Sequence, residues 1–325
     1  MELVPSPRAV KFFQSSSTPT KPLIEVKPKR AYKGNEYLGV GLYVYHKCNV
    51  RCDYCFWFRD FDINESMSES TYKRVIDELL KRDKVHLNLL GGEPTFYPYL
   101  NGIIEYALDS GLTDFIITTN FIRPLDFFYK MPRLAEYSLA ISIHLDAFKD
   151  KTDDEFSQYL DNIEDFCKNK PGKRNRIGVV IDERYMDRLI QVLDRIKNVR
   201  AMKYPILATY ETYDYYKVSQ PTVDIAKPYF SELFYKYMVN DVEHDMLDDA
   251  VNNGPNFQGY WCNLNTVEIF PDGTTRTTCT DKYVGNIIKE DDVVKNYNPL
   301  HRCTVKLCDN FNRIMLKKTK YGKYT

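Results

Sequence analysis

Apolar residues come in six short bursts along the first two-thirds of the chain. Between the bursts they recur at three- and four-residue spacing. The bursts are YLGVGLYVY (37–45), VHLNLLGG (85–92), DFIITTN (114–120), YSLAISIHL (137–145), RIGVVID (176–182) and AMKYPILATY (201–210). Each is brief and β-branched or aromatic, and three of the six close on Gly, Asn or Asp, which predicts buried strands. Helical spacing marks STYKRVIDELLKR (70–82), with Ser66 and Glu69 placed as a capping box, then YLNGIIEYAL (99–108), PLDFFYKM (124–131), DDEFSQYLDNIEDFCKN (153–169) and RYMDRLIQVLDRIKN (184–198).

Strand and helix therefore alternate through six units, which implies an α/β fold with a parallel sheet. Right-handed crossovers curl such a sheet into a partial (β/α)6, TIM-like barrel. Chemistry on a barrel gathers at the C-terminal strand ends. Cys48, Gly91, Asn120 and His144 all fall there, so they are expected around one mouth. Before the barrel, residues 1–34 are rich in Pro, Ser and Lys and read as an arm. The barrel is assigned to 35–225. The rhythm then changes, and TVEIFPDGTTRTTC (266–279) reads as a hairpin turning at Pro271-Asp272-Gly273, so a smaller α+β domain is expected over 226–325.

Composition narrows the class. The chain has 325 residues, with 45 basic and 45 acidic side chains and no formal net charge. That balance gives no support to a nucleic-acid partner. No apolar run reaches membrane-spanning length and the N-terminus lacks a secretory apolar core, so a cytoplasmic protein without a membrane partner is expected. In that compartment clustered thiols bind metal more often than they form disulfides.

Eight cysteines fall into three groups. Cys48, Cys52 and Cys55 share the stretch KCNVRCDYC. Three thiolates are one short of a closed tetrahedral zinc site, for which His46 is the nominal fourth ligand. Cys262, Cys279, Cys303 and Cys308 lie near the end; alone, that set suits zinc and iron–sulfur equally, with paired disulfides a further alternative. Cys167 stands apart on a predicted helix, where a buried thiol is ordinarily a small hydrophobe.

The spacing C-x3-C-x2-C after the first strand, with Gly91-Gly92-Glu93-Pro94 ending the second, resembles the radical S-adenosylmethionine (radical SAM) superfamily. The resemblance covers roughly residues 37–210. It implies that Cys48, Cys52 and Cys55 hold three irons of a [4Fe-4S] cluster whose fourth iron chelates S-adenosylmethionine (AdoMet). It also implies cofactor contacts at Tyr54, against the adenine, at Gly91, Gly92 and Glu93 or nearby backbone, and at Asn120 and Ser142. His46 departs from the Thr that relatives commonly carry. WCNLNTVEIFPDGTTRTTC with VGNI (284–287) resembles the twitch domain, a shorter relative of the SPASM domain. This implies a second, auxiliary [4Fe-4S] cluster on Cys262, Cys279, Cys303 and Cys308, although the final C-x4-C departs from the C-x2-C of many relatives.

The reaction so implied is reductive AdoMet cleavage to a 5′-deoxyadenosyl radical that takes a substrate hydrogen atom. Flavodoxin or ferredoxin is the kind of electron donor implied. Oxidation, crosslinking or epimerisation of a peptide or protein side chain is the expected outcome. Alternatives are a small-molecule dehydrogenase of the aminocyclitol type and modification of a nucleotide or nucleic-acid base. A non-enzymatic binding module would not cleave AdoMet. Catalytic candidates are His144, at the mouth, and Cys167, as a hydrogen-atom donor. TYETYDYYK (209–217) follows the sixth strand and is expected over the mouth, as a substrate wall or as packing against the second domain.

Overall fold

Six parallel strands carry the molecule. The computed structural model describes residues 38–55, 62, 64–82, 84–169, 175–207, 225, 261–263, 266–277, 283–297 and 300–302. The expected arm, the tyrosine stretch 209–217, Cys279, Cys303 and Cys308 lie outside the described residues, and of Cys262 only the backbone strand is described.

The strands are β1 (Leu38–Tyr45), β2 (Val85–Gly91), β3 (Phe115–Thr119), β4 (Ser138–Ile143), β5 (Arg176–Ile181) and β6 (Met202–Leu207). Helices α1 (Glu69–Leu79), α2 (Leu100–Asp109), α3 (Leu125–Tyr129), α4 (Asp153–Asn169) and α5 (Met186–Ile196) fall between them. Neighbouring strands from β1 to β6 pair in parallel and in chain order. The alternation read from the sequence is therefore the architecture observed.

Strand periodicity sorts the side chains of β1. Leu38, Val40, Leu42 and Val44 are fully or almost fully buried in the main core, with Val75, Ile76 and Leu79 of α1 and Ile103 and Ile104 of α2. The intervening residues face the opposite side. A Cβ on Gly41 would stand 2.9 Å from Leu90 and 3.6 Å from Glu268.

Helix α1 starts differently from expectation. Its cap is Ser68, whose Oγ accepts the Thr71 N–H at 3.1 Å, not Ser66. Ser66 instead bridges Tyr45, and the Met67 N–H donates to the Val44 carbonyl. Buried Met67 holds this segment beside β1, so the helix cannot begin before Ser68.

The expected hairpin is present as β8 (Thr266–Ile269) and β9 (Thr274–Thr277), after β7 (Trp261–Asn263) and before β10 (Tyr283–Asn286) and β11 (Leu300–Arg302). Strand β8 pairs in parallel with β1, so the nine-stranded order is β10-β9-β8-β1-β2-β3-β4-β5-β6. Strands β7 and β11 form a separate antiparallel pair. The hairpin thus continues the barrel sheet at its β1 edge. The segment after β10 is tied to α1 and the turn that follows it: buried Glu78 accepts the Asp292 N–H at 3.1 Å, and Arg82 Nη2 donates to the Tyr297 carbonyl at 2.8 Å.

Candidate active site

The strand ends open on a cavity of about 260 Å³. Its walls bring together Cys48, Cys52, Tyr54, Cys55, Gly91, Gly92, Glu93, Asn120, Ser142 and His144, residues spread over nearly a hundred positions of chain. Every barrel residue named from the sequence as a cofactor contact lies there. Of the two catalytic candidates, His144 is at the wall and Cys167 is not. Cys167 is buried in the main core on α4, and desolvation pushes its thiol up to about 12. It behaves as a packed small hydrophobe.

The register shift between Tyr43 and Tyr45 ends β1 irregularly just ahead of the cysteine loop. That loop lies against the end of β2. The Gly92 N–H donates to the Tyr45 carbonyl at 2.7 Å and the Glu93 N–H to the Lys47 carbonyl at 2.9 Å. A Cβ on Gly91 would fall 2.1 Å from the Tyr45 oxygen, and one on Gly92 would fall 2.4 Å from the oxygens of both His46 and Lys47. Gly91 also has φ 145°. The glycines are therefore required by the protein's own backbone.

Glu93 is buried, and its carboxylate is filled by donors. Oε1 accepts from the Thr95 N–H at 3.1 Å and from the Thr95 and Thr119 hydroxyls, each at 2.7 Å; Oε2 accepts from the Asn120 N–H at 2.7 Å. Desolvation pushes the carboxyl above its ordinary range against the pull of these donors. Glu93 thus clamps the end of β2 to the end of β3. Asn120 continues the bracket: Nδ2 donates to Asn49 Oδ1 at 2.7 Å and lies 3.8 Å from Cys48 Sγ. Phe121, at φ 59°, turns the chain immediately afterwards, its ring stacked on Phe128 at 3.9 Å.

The other half of the loop is held from β4 and β5. Buried Asp146 accepts the Asp53 N–H at 2.6 Å, the Tyr185 hydroxyl at 2.6 Å and Arg184 Nη2 at 3.1 Å. Arg184 and Lys149 also reach the Asp53 carboxylate, at 2.9 and 2.7 Å. Buried Asp182 accepts from Arg184 Nη2 at 2.8 Å. Sequence reading missed Asp146, Asp182, Arg184 and Thr119. The available signal was the polar series Ser142, His144 and Asp146 at the exit of an otherwise apolar run; alternation puts Ser142 and His144 on the cavity wall, and Asp146 follows in the 3-10 turn Leu145–Phe148.

Tyr54 and His144 form a pair. The phenol oxygen lies 2.6 Å from Nδ1, and the rings are 6.0 Å apart, inclined at 23°. Burial lowers the imidazole to about 4, so it is neutral at pH 7, and burial raises the phenol well above its usual range. His46 points elsewhere. It is buried, with Nδ1 3.1 Å from the Asp62 carbonyl and 3.3 Å from Glu65, and is not a cavity residue.

The donor set can be tested against the group it is expected to hold. Among the described residues, no three His, Cys, Asp or Glu side chains surround a single ion position. The three thiols instead stand around a common cavity. Burial pushes Cys48 and Cys52 up to about 12, with the neighbouring cysteines adding to the shift. No Lys or Arg lines the cavity among the described residues. Thiols in such surroundings ionise only when a bound cationic group compensates them. A multi-iron cluster with its sulfonium cofactor meets that demand.

Comparison with known proteins agrees with this geometry. Residues 42–205 match the family model described as Radical SAM superfamily. Two curated relatives, both described as S-adenosylmethionine-dependent nucleotide dehydratase, align over shorter stretches. The one from Selenomonas ruminantium is 36% identical over 80 residues, 24% of this chain and 28% of its own length. The one from a Thermoplasmatales archaeon, strain ISO4-H5, is 25% identical over 103 residues, 31% of this chain and 36% of its own length. Each alignment thus spans about a third or less of the relative. Among solved structures, anSMEcpe with bound AdoMet superposes with a TM-score of 0.55 at 14% identity, covering 80% of this chain and 81% of the other. Streptococcus suis SuiB bound to precursor peptide SuiA superposes with a TM-score of 0.52 at 14% identity, covering 81% of this chain and 65% of the other. At such identities the likeness is one of fold.

Proposed function

The chain belongs to the radical SAM superfamily, and from that premise we propose that it oxidatively modifies a peptide or protein side chain. When bound, the cluster and AdoMet supply reductive cleavage of AdoMet and hydrogen-atom abstraction from the substrate. The protein's part is to place three thiolates, exclude water and hold the substrate carbon in reach. Cys48, Cys52 and Cys55 would be the ligands. Ser142, Asn120 and the Gly91–Gly92 backbone would contact AdoMet. Glu93, already filled by four donors, would act by shaping that wall, leaving the amino group of AdoMet to neighbouring backbone. Cys262, Cys279, Cys303 and Cys308 are proposed to hold an auxiliary cluster that accepts the substrate's electron, in a twitch-like domain over 226–325. A flavodoxin or ferredoxin would supply the first electron, in a cytoplasmic setting.

The observation that carries the substrate reading is the extent of the fold likeness. It covers 80–81% of this chain, more than the matched barrel segment, in SuiB bound to a precursor peptide and in anSMEcpe with AdoMet and Cp18Cys peptide. A second reading, a nucleotide substrate, is favoured by the names of the two curated relatives. Their aligned stretches are too short to carry a whole protein's substrate across.

The deciding experiment is anaerobic turnover of the reduced protein with uniformly deuterated peptides and, separately, deuterated nucleotides. Deuterium in 5′-deoxyadenosine from a peptide is the expected result. Label arriving only from a nucleotide would overturn the peptide reading.

A further inference from the structure

Arg123 packs its guanidinium against two aromatic rings. Its Cζ lies 4.1 Å from the ring centre of Phe96 and 4.2 Å from that of Phe127 on α3. At that separation the rings occupy the faces of the guanidinium and leave its edges, which carry all its N–H donors. Among the described residues, no hydrogen bond or ion pair reaches those donors. Asp126, the nearest carboxylate along the chain, is held by Lys130 at 2.7 Å. Arg133, Arg184 and Arg195, by contrast, all end on carboxylates. Packing between two rings would be met by an apolar side chain. A guanidinium adds donors that the described protein does not use. Both flanks spring from the cavity wall: Arg123 follows Asn120 by three positions, and Phe96, 36% exposed, follows Pro94 by two. Three residues of chain span at most about 11 Å.

On the peptide reading above, a substrate that enters a cavity of about 260 Å³ beside AdoMet must leave its flanking residues on the rim. We propose that Arg123 is a specificity residue there: its guanidinium, fixed by Phe96 and Phe127, binds the carboxylate of an Asp or Glu within about four residues of the attacked carbon, since an extended peptide advances about 3.3 Å per residue. A planar fork matches a carboxylate in two parallel hydrogen bonds. Rings that hold the fork beforehand lower the cost of ordering it on binding. A nucleotide phosphate offers the same oxyanion chemistry, so the two sources need separate arms in the test.

The first test needs no turnover. Reconstituted, unreduced protein with AdoMet is treated with phenylglyoxal, and the adduct at Arg123 is followed by mass spectrometry. The probes are two pools of short blocked peptides, identical except for Glu or Gln at one position, and separately a nucleoside triphosphate. The Glu pool should slow modification of Arg123 and not of Arg133, which Glu136 and Asp109 already hold; the Gln pool should slow neither. Equal modification in the two peptide pools would overturn the proposal. Protection by the triphosphate alone would assign the oxyanion to a nucleotide and overturn the carboxylate. The second test is turnover of the peptide that labels 5′-deoxyadenosine. Changing its acidic residue to the amide should raise KM about tenfold in the wild type and change nothing in Arg123→Gln. Arg123→Lys should not restore the preference, because an ammonium lacks the fork. Slower turnover of Arg123→Gln with a protein electron donor, but not with a chemical reductant, would make Arg123 a docking residue for that donor and overturn the proposal. Failure of every peptide to label 5′-deoxyadenosine would strike the peptide reading, while the phenylglyoxal result would still decide whether Arg123 takes a carboxylate.

Discussion

At the scale of single residues, Glu93 and His144 do work that their types alone do not announce. Glu93 satisfies four buried donors at once. Glu93→Ala would strand the Thr95 and Asn120 amides and two hydroxyls, so it should lower the stability of the metal-free protein by on the order of 3 kcal/mol. Chemical denaturation checks this; an unchanged midpoint would show that water replaces the carboxylate freely. His144 makes stability depend on pH. Its folded-state value lies near 4, below the 6.5 of an exposed imidazole. As pH falls, the unfolded chain therefore takes up the proton first. The stabilisation is fully present above 6.5 and is lost as pH drops from 6.5 toward 4. Between pH 7 and pH 5 the metal-free wild type should lose more stability than His144→Gln. Parallel losses would show that other groups set the profile.

At the scale of elements, the cysteine loop is held from two sides. The β3 end grips Asn49 and Cys48 through Asn120, and the segments after β4 and β5 grip Arg51 and Asp53 through Lys149, Asp146 and Arg184. Asp146→Ala should release the Asp53 amide, raising its hydrogen exchange about tenfold or more while the amides of Leu139 and Ile141 stay protected. Equal acceleration throughout β4 would mean that Asp146 only braces the barrel. Strand and helix placement were legible because burial imposes periods of two and 3.6. The loop's clamps were not, because Asp146 lies three crossovers and Arg184 four beyond the loop residue Asp53 that they hold, and they meet it only when the strand ends come together. Local pattern misled at α1, where Ser66 and Glu69 spell a capping box but Met67 must first be buried beside β1. The glycines of Gly91-Gly92-Glu93-Pro94 were found by motif. Their reason, two carbonyls at 2.4 Å from a Cβ on Gly92, is a tertiary contact that no linear reading contains.

At the scale of the whole molecule, one sheet joins the cysteine loop to the C-terminal hairpin. Strand β1 leads directly into the loop and pairs with β2 on one side and β8 on the other. Tyr43 of β1 stacks on Phe270 at 5.2 Å and hydrogen-bonds Glu268 at 3.0 Å, with Cys55 and Leu90 packed against the same pair. The hairpin that follows Cys262 is thus continuous with the wall of the cavity. The barrel strands and strands β8 to β10 are thus parts of one sheet.

The central claim is that Cys48, Cys52 and Cys55 form the centre that cleaves AdoMet. The most direct measurement is 5′-deoxyadenosine formed by the reduced, reconstituted protein, compared with a Cys48→Ala, Cys52→Ala, Cys55→Ala triple variant. The account predicts AdoMet cleavage by the wild type, none by the variant, and residual iron in the variant from the proposed auxiliary site. Undiminished 5′-deoxyadenosine from the triple variant would contradict it.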